Sequence, residues 1–184
     1  EPGFESWNGD DWKTGGGSVW TMGSYDPVLN LVYFGTGNPG PDWNPAQRPG
    51  DNLYTDSVVA LDPETGKLKW HFQFTPNDGN DYDSTQVPVL ADMDWNGKPA
   101  KLMLFANRNG FFYVLDRTNG AFLSGTPFVY QNWNREFEPA IASGRPLPSN
   151  SSQEGSFFVY PTLLGGTNYQ APSYSPQTGW LYLE

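Results

Sequence analysis

The 184-residue sequence contains no cysteine and only one histidine, His71. Without cysteine, thiolate-ligated zinc, iron–sulfur centres and thiol catalysis are excluded within it. No Gly-x-Ser-x-Gly elbow accompanies the histidine, so serine hydrolysis lacks its motif. Cationic side chains are also scarce: 10 Lys and Arg stand against 20 Asp and Glu, the net charge is −10, and the basic residues form no cluster. Phosphate binding needs a basic face, so no nucleic-acid partner is expected. No run approaches the roughly eighteen apolar residues of a membrane-spanning helix, so no membrane span is expected. The opening stretch "EPGFESWNGDDWKTGGG" lacks the basic-then-apolar order of a signal peptide. Apolar residues three and four apart never persist over about three turns, which argues against long amphipathic helices.

What is abundant is glycine (21), proline (17) and aromatic residues (16%), a mixture that suits many short strands joined by turns. Four segments repeat one pattern: "SYDPVLNLVYF" (24–34), "VVALDPETGKLKWHF" (58–72), "FFYVLDRTNGAFL" (111–123) and "PSYSPQTGWLYL" (172–183). Each runs from an apolar strand through Asp or Ser, three turn residues and Gly or Asn into a second strand. The Asp or Ser side chain can accept from backbone N–H groups two residues on, and Gly or Asn tolerates the left-handed closing conformation. A fifth hairpin, "VPVLADMDWNGKPAKLMLFA", turns at Asn96-Gly97, a pair favoured in two-residue hairpin loops. The pattern predicts an all-β chain of antiparallel four-stranded units over about residues 17–75 and 83–124, with a third unit begun at 167–184. Residues 38–55 and 125–166 are expected as long loops, a length more often functional than passive. Two and a half blades cannot close a ring and protect their edges, so the reading implies one partial propeller domain over 1–184 of a longer protein.

Several motifs in this order carry a family likeness: "GGGSVW", "YFGTGNPGPDWN", "RPGDNLYTDSVVALDPETGKLKW", "TPNDGNDYDS", "LFANRNGFFYVLDRTNG" and "GGTNYQAPSYSP". Together they resemble the pyrroloquinoline quinone (PQQ)-dependent alcohol dehydrogenases, the methanol/ethanol dehydrogenase group of quinoproteins. The resemblance covers nearly the whole chain. It implies an eight-bladed quinoprotein β-propeller and a periplasmic oxidoreductase that converts a primary alcohol to an aldehyde. PQQ and a calcium or lanthanide ion would lie near the axis, a cytochrome c would accept the electrons, and a homodimer is an allowed assembly. "ALDPETGKLKW" resembles the family's tryptophan-docking repeat, in which a Trp of one blade packs on the next. Propellers with such repeats also serve as non-enzymatic scaffolds of the outer-membrane-assembly type, and other PQQ enzymes oxidise polyols or sugars. Both remain alternatives at this point.

The resemblance also assigns candidate roles. Trp20 matches the tryptophan on which PQQ stacks, a role that needs a broad π-face held on a strand; a core Trp is the plain alternative. Ser18 matches a PQQ-bonding Ser or Thr, Arg108 the cation that contacts the quinone oxygens, and Asn168 a PQQ-contacting Asn. Asn38 matches a metal ligand, and a hard cation wants such oxygen donors. Trp43 matches a wall of the substrate cavity. Asp81 matches the catalytic base and stands close to the metal. Asp83 occupies the position where lanthanide-dependent members carry a second Asp and calcium-dependent members Ala, Ser or Thr. One more carboxylate suits a trivalent ion, while a turn-capping Asp is the plain reading of "DYDS". Two departures stand out: Asp42 is an addition to the usual "NPGPWN" stretch, and Asn80 replaces a frequent Trp. The family's glutamate ligand and vicinal disulfide belong upstream of "GGGSVW", beyond the first residue of this sequence, so the chain supplies only part of the family's site.

Overall fold

The structure, a computed structural model, describes residues 3–137, 146–148 and 158–184. Two four-stranded antiparallel sheets dominate it. The first contains β1 (Ser24–Asp26), β2 (Leu31–Gly35), β3 (Ser57–Leu61) and β4 (Leu68–Gln73), in that spatial order. The second contains β5 (Val89–Trp95), β6 (Lys98–Ala106), β7 (Phe111–Asp116) and β8 (Ala121–Pro127), again in sequence order. After these come β9 (Asn134–Phe137) paired with β10 (Pro146–Pro148), and β11 (Ser173–Ser175) paired with β12 (Trp180–Tyr182). Among the described residues the only helical elements are 3-10 turns at Phe4–Ser6, Asp11–Thr14 and Pro45–Gln47, and no helix is long and apolar enough to cross a membrane. Each large sheet is a meander of the kind that forms one propeller blade.

The repeated turns explain the strand spacing. Asp26 Oδ1 accepts the N–H groups of Val28 and Leu29, and Asp62 Oδ1 those of Glu64 and Thr65. Asp116 Oδ1 accepts from Thr118, and Ser175 Oγ from Thr178. The fifth residue of each turn has positive φ: Asn30 (51°), Gly66 (68°), Gly120 (78°) and Gly179 (71°). The Asn96-Gly97 turn likewise has both residues at positive φ (53° and 79°) and joins β5 to β6. Residues 125–166, read from the sequence as one long loop, begin inside β8 and include the β9–β10 pair. β9 reads Asn-Arg-Glu-Phe and β10 Pro-Leu-Pro, and neither has the apolar alternation that would reveal a strand.

The two blades share one aromatic core. Phe72 and Phe74 of the β4 region alternate with His71 and Gln73, as strand geometry requires. The Phe74 ring centroid lies 4.5 Å from Phe105 and 4.7 Å from Tyr113, and Phe72 lies 5.8 Å from Tyr113. Trp70, at the end of the docking-like repeat, tilts 5.5 Å from Tyr33 and covers Gly120 of the next blade's turn. Polar bonds cross the same seam. Arg117 Nε reaches Asp26 Oδ2 at 2.6 Å, with both side chains buried, and Tyr33 donates to the Arg117 carbonyl at 3.0 Å. Burial alone would raise the Asp26 carboxyl. Arg117 and the Val28 and Leu29 N–H groups outweigh burial and hold it below the usual carboxylate range. His71 packs edge-on against Tyr54 at 4.7 Å, and burial lowers its pKa. The lone histidine is thus a packing residue.

Gly120 and Gly66 close equivalent turns but differ in surroundings. A Cβ on Gly120 would lie 2.6 Å from Trp70 Cε3, whereas one on Gly66 would meet nothing within 4 Å. Gly66→Ala should therefore cost only the left-handed strain, about 1–2 kcal/mol. Gly120→Ala should cost that and a further 1–3 kcal/mol or so of overpacking. Chemical denaturation of the two variants measures the difference, and equal losses would remove Trp70 docking from the blade interface.

Candidate functional site

The candidate residues converge where β2, β3 and β4 meet the loops at their ends. Asn38 follows β2, and its flanking backbone is tied on every side. Thr36 N–H donates to Ser57 O (2.8 Å), Gly37 N–H to Ser18 O (2.9 Å), and Gly17 N–H to Asn38 O (2.7 Å). Asp56 N–H donates to Gly37 O (3.0 Å), Phe74 N–H to Asp56 O (2.7 Å), and Ser84 N–H to Thr36 O (3.0 Å). These bonds place the segments carrying Ser18, Asn38, Asp56 and Asp83 side by side. A Cβ on Gly37 would lie 2.5 Å from Asp83 Oδ1. Glycine there lets the Asp83 carboxylate accept the Asn38 N–H at 2.8 Å.

Arg108 completes the group from the turn after β6. Its Nη1 lies 2.6 Å from Asp83 Oδ2, and its Nη2 lies 3.4 Å from Asp81 Oδ2. Its Nε donates to Leu163 O (2.7 Å), and its carbonyl accepts Gly166 N–H (3.0 Å). Gly165, at φ +81°, is packed directly on the Arg108 side chain, where a Cβ would overlap it. Tyr82 points the opposite way from its two neighbours: it is fully buried, and its hydroxyl donates to Pro161 O (2.5 Å). A peptide that sends Tyr82 into the core directs Asp81 and Asp83 together to Arg108. Burial raises the Asp81 carboxyl, Arg108 draws it back, and Asp83 and Asp42 add to the rise. The net upward shift makes Asp81 a stronger base than an ordinary carboxylate.

Behind these groups lies a buried polar layer whose roles the sequence did not reveal. Asp78, only 2% exposed, accepts N–H bonds from Asn80 (2.8 Å) and Tyr82 (2.7 Å). Its pKa rises to about 6, because burial outweighs those bonds and the attraction of Arg48. Arg48 is fully buried and donates to Pro41 O (3.1 Å), Asn52 Oδ1 (2.8 Å), Asp42 O (3.2 Å) and the Asp78 carbonyl. It ties the 38–55 loop to the 77–83 stretch. Nothing in the short-range pattern marks Arg48 as buried, since burial is set by the fold around it. "NDGNDYDS" also reads locally as a solvated turn, yet Asp78 and Asp83 are both buried.

The remaining candidates stand at different distances from this centre. Ser18 contributes its backbone carbonyl and is exposed. Trp20, expected on a strand, follows an isolated bridge between Gly16 and Pro39 and lies outside any strand, 46% exposed. Three positive-φ glycines, Gly15 to Gly17, interrupt regular pairing just before it. Trp43 is 61% exposed beside Asp42. The additional Asp42 is not loose: its Oδ1 accepts from Asn38 Nδ2 at 3.0 Å. Asn168 donates to Leu164 O (3.0 Å), in the loop that also supplies the Leu163 carbonyl to Arg108. The Asn38 amide nitrogen is turned to Asp42, and the Asn38 backbone N–H to Asp83; side-chain oxygens of the Asn and Asp type are the donors a hard cation needs. Among the described residues no three His, Cys, Asp or Glu side chains form a metal-holding group, so a six- to eight-coordinate ion there needs further donors.

The raised carboxyls set a pH dependence in the metal-free protein. Asp56, Asp78 and Asp81 all hold protons more tightly folded than unfolded. Between the unfolded value of 3.8 and about 6 the folded state therefore binds more protons, and stability falls as pH rises. Asp26, Asp62 and Asp92, shifted the other way, lose their contribution only below 3.8. The unfolding midpoint in chelator should rise as pH is lowered from about 6.5 to 4, by on the order of 2–3 kcal/mol from Asp78 alone. A midpoint that climbs with pH across that window would contradict the burial assigned to these groups.

Known proteins share this chain's sequence and fold. Residues 1–127 match the family described as "Glucose/ethanol/alcohol dehydrogenase, beta-propeller domain". The chain is 46% identical to the quinoprotein alcohol dehydrogenase PedH of Pseudomonas putida, covering 97% of this chain and 31% of that protein. It is 40% identical to the lanthanide-dependent methanol dehydrogenase of Methylacidiphilum fumariolicum, over 98% of this chain and 30% of the relative. The solved structure of a europium-containing methanol dehydrogenase superposes with a TM-score of 0.90 at 39% identity, covering 98% of this chain and 32% of that one. The chain thus spans about a third of the length of the relatives it matches. With two propeller-type blades, the shared seam and these matches together, the chain belongs to the PQQ-dependent glucose/ethanol/alcohol dehydrogenase β-propeller family.

Proposed function

We propose that this chain forms part of the active site of a periplasmic quinoprotein alcohol dehydrogenase, with Asp81 as the base that takes the proton of a primary alcohol. The observation that carries the reading is the convergence of Asn38, Asp81, Asp83 and Arg108, brought from three separate segments into one bonded group. A propeller scaffold has no need for that group. PQQ held with a calcium or lanthanide ion supplies the hydride acceptor and its Lewis acid when bound. Asp81 accepts the hydroxyl proton as the alcohol becomes an aldehyde. Arg108, fixed by Leu163 and the Gly165-Gly166 pair, offers its guanidinium where negative charge develops. Asn38, Asp81 and Asp83 hold the metal. Trp20 offers the stacking face, Ser18 and Asn168 line the cofactor, and Trp43 walls the substrate cavity. A cytochrome c is the electron acceptor.

In the full-length protein, Asp81→Ala should lower dye-linked alcohol oxidation about 100- to 10,000-fold while the quinone absorbance of bound PQQ persists. Retained turnover would remove Asp81 as the base. Absence of quinone absorbance from the unsubstituted protein would favour the scaffold.

Asp83 directs the choice of ion toward a lanthanide, because it adds a carboxylate beside Asn38 and Asp81. Reconstitution of the apo-protein with PQQ and lanthanum should support activity over an alcohol panel, and Asp83→Ala should abolish the preference for lanthanum. Activity with calcium alone refutes the assignment.

A further inference from the structure

Tyr82 stands between Asp81 and Asp83 in sequence, yet its fully buried side chain leads to Arg108 by two routes behind the site. Its hydroxyl donates to Pro161 O at 2.5 Å. Two residues on, Leu163 O accepts Arg108 Nε at 2.7 Å, and Gly166 N–H returns to the Arg108 carbonyl at 3.0 Å. Gly165 N–H closes this stretch onto Thr162 O at 2.8 Å. The second route is aromatic. The Tyr82 ring lies 5.6 Å from Trp133, whose indole N–H donates to Asn109 O at 2.7 Å. Asn109 directly follows Arg108. On its own strand of chain, Tyr82 N–H is accepted by Asp78 Oδ2 at 2.7 Å. Asp81, just before it, is held at φ +62°, a conformation that a non-glycine residue keeps only where its surroundings impose it.

We propose that Tyr82 is a positioning residue for alcohol oxidation: its hydroxyl, through Pro161, fixes the 161–166 stretch that aims Arg108, and so sets the spacing between that guanidinium and Asp81. The inference rests on the reading of Asp81 as the base and Arg108 as the cation of the reaction. The contacts form a closed ring. It runs from Asp81 to Tyr82 along the chain, across to Pro161, along to Leu163, across to Arg108 and back to Asp81 at 3.4 Å. Asp83 holds the same guanidinium at 2.6 Å, so Asp81 is the loosest corner of the ring. Its place comes from the backbone between Asp78 and Tyr82 and from the side to which Arg108 is drawn. A phenol suits this task, because a rigid ring fills the core while its far end reaches a loop carbonyl. Phenylalanine would fill the same volume and leave the 161–166 stretch without that bond. A displacement of about 1 Å at reacting groups can cost about 100-fold in rate. The loss would fall on the chemical step, since the hydroxyl touches neither Asp81 nor Arg108.

The test compares the full-length protein with its Tyr82→Phe variant by two measurements. Amide hydrogen exchange needs no bound cofactor. The variant should exchange the Gly165 and Gly166 amides about fivefold faster, with the β6 and β7 amides unchanged. The second measurement is the rate at which ethanol, or the fastest alcohol of a panel, reduces bound PQQ in a single turnover, normalised to quinone absorbance. That rate should fall about 10- to 100-fold, while KM for the alcohol moves by less than about twofold. A merely structural tyrosine would lower the melting temperature and the fraction of protein carrying quinone but not the rate per quinone. That pattern overturns the proposal, as does unchanged exchange at Gly165 and Gly166. Arg108→Lys keeps the charge but lacks the Nε bond to Leu163, so adding Tyr82→Phe to it should cost no more than about threefold. An equal loss in both backgrounds shows that Tyr82 does not act through Arg108 and overturns the proposal. Tyr82→Met repeats the test if the phenylalanine variant does not fold. If the unsubstituted protein shows no quinone absorbance, or if Asp81→Ala retains turnover, the reading of the site fails first and the proposal falls with it.

Discussion

The guanidinium of Arg108 is the tie on which the arrangement of the site depends. It spans two carboxylates that approach from the 77–83 stretch, yet it belongs to the second blade, in the turn between β6 and β7. A third arm fixes it to Leu163, far along the chain. One buried cation therefore joins both blades' ends and the loop before β11. Removing one partner of such a buried pair leaves the other charge uncompensated, at a cost of about 3–5 kcal/mol. The same interaction also orients Asp81, so its geometric and chemical consequences cannot be separated.

That tie works because the blades beneath it are already fixed. The seam between them is filled by the Phe72, Phe74, Phe105 and Tyr113 rings, with Trp70 closing over Gly120. Arg117 adds a polar lock, bonded at once to Asp26 of the first blade and to Asp92 of the second. Arg108 and Arg117 thus bracket β7, one before it and one after it. Each joins the same pair of blades, the first through the site's carboxylates and the second through the turn of β1. Alignment of the first blade against the second is what brings residues near 38 to residues near 108.

The hairpins were legible in the sequence because their cause is local. A side-chain oxygen, three residues and a residue free to adopt positive φ are enough to make the turn, and Asp62, Asp116 and Ser175 each do so. Family resemblance carried the reading of Trp20, Asn38, Asp81 and Arg108 as site residues and left Asp83 between a lanthanide ligand and a turn cap, whereas composition alone reads them as core, turn or surface residues. The failures share a different cause. Trp20 lies outside a strand because the glycines before it interrupt pairing. β9 and β10 were missed because their residues do not alternate. The burial of Arg48, Asp56 and Asp78 was invisible because it depends on which loops fold over them, and a stretch rich in Asp, Asn and Gly gives no local sign of that.

Those three residues change how the acidic composition is understood. Four carboxyls, on Asp56, Asp78, Asp81 and Asp83, meet only two guanidiniums, on Arg48 and Arg108. A buried surplus of negative charge cannot persist without relief, because the interior stabilises isolated ions poorly. Relief comes in two forms, a proton or a cation. The raised pKa values of Asp56, Asp78 and Asp81 describe the first. Under the proposed metal reading, oxygens of Asn38, Asp81 and Asp83 supply the second. Asp56, the one of the four whose carboxyl oxygens have no hydrogen-bond partner, has the strongest reason to keep its proton.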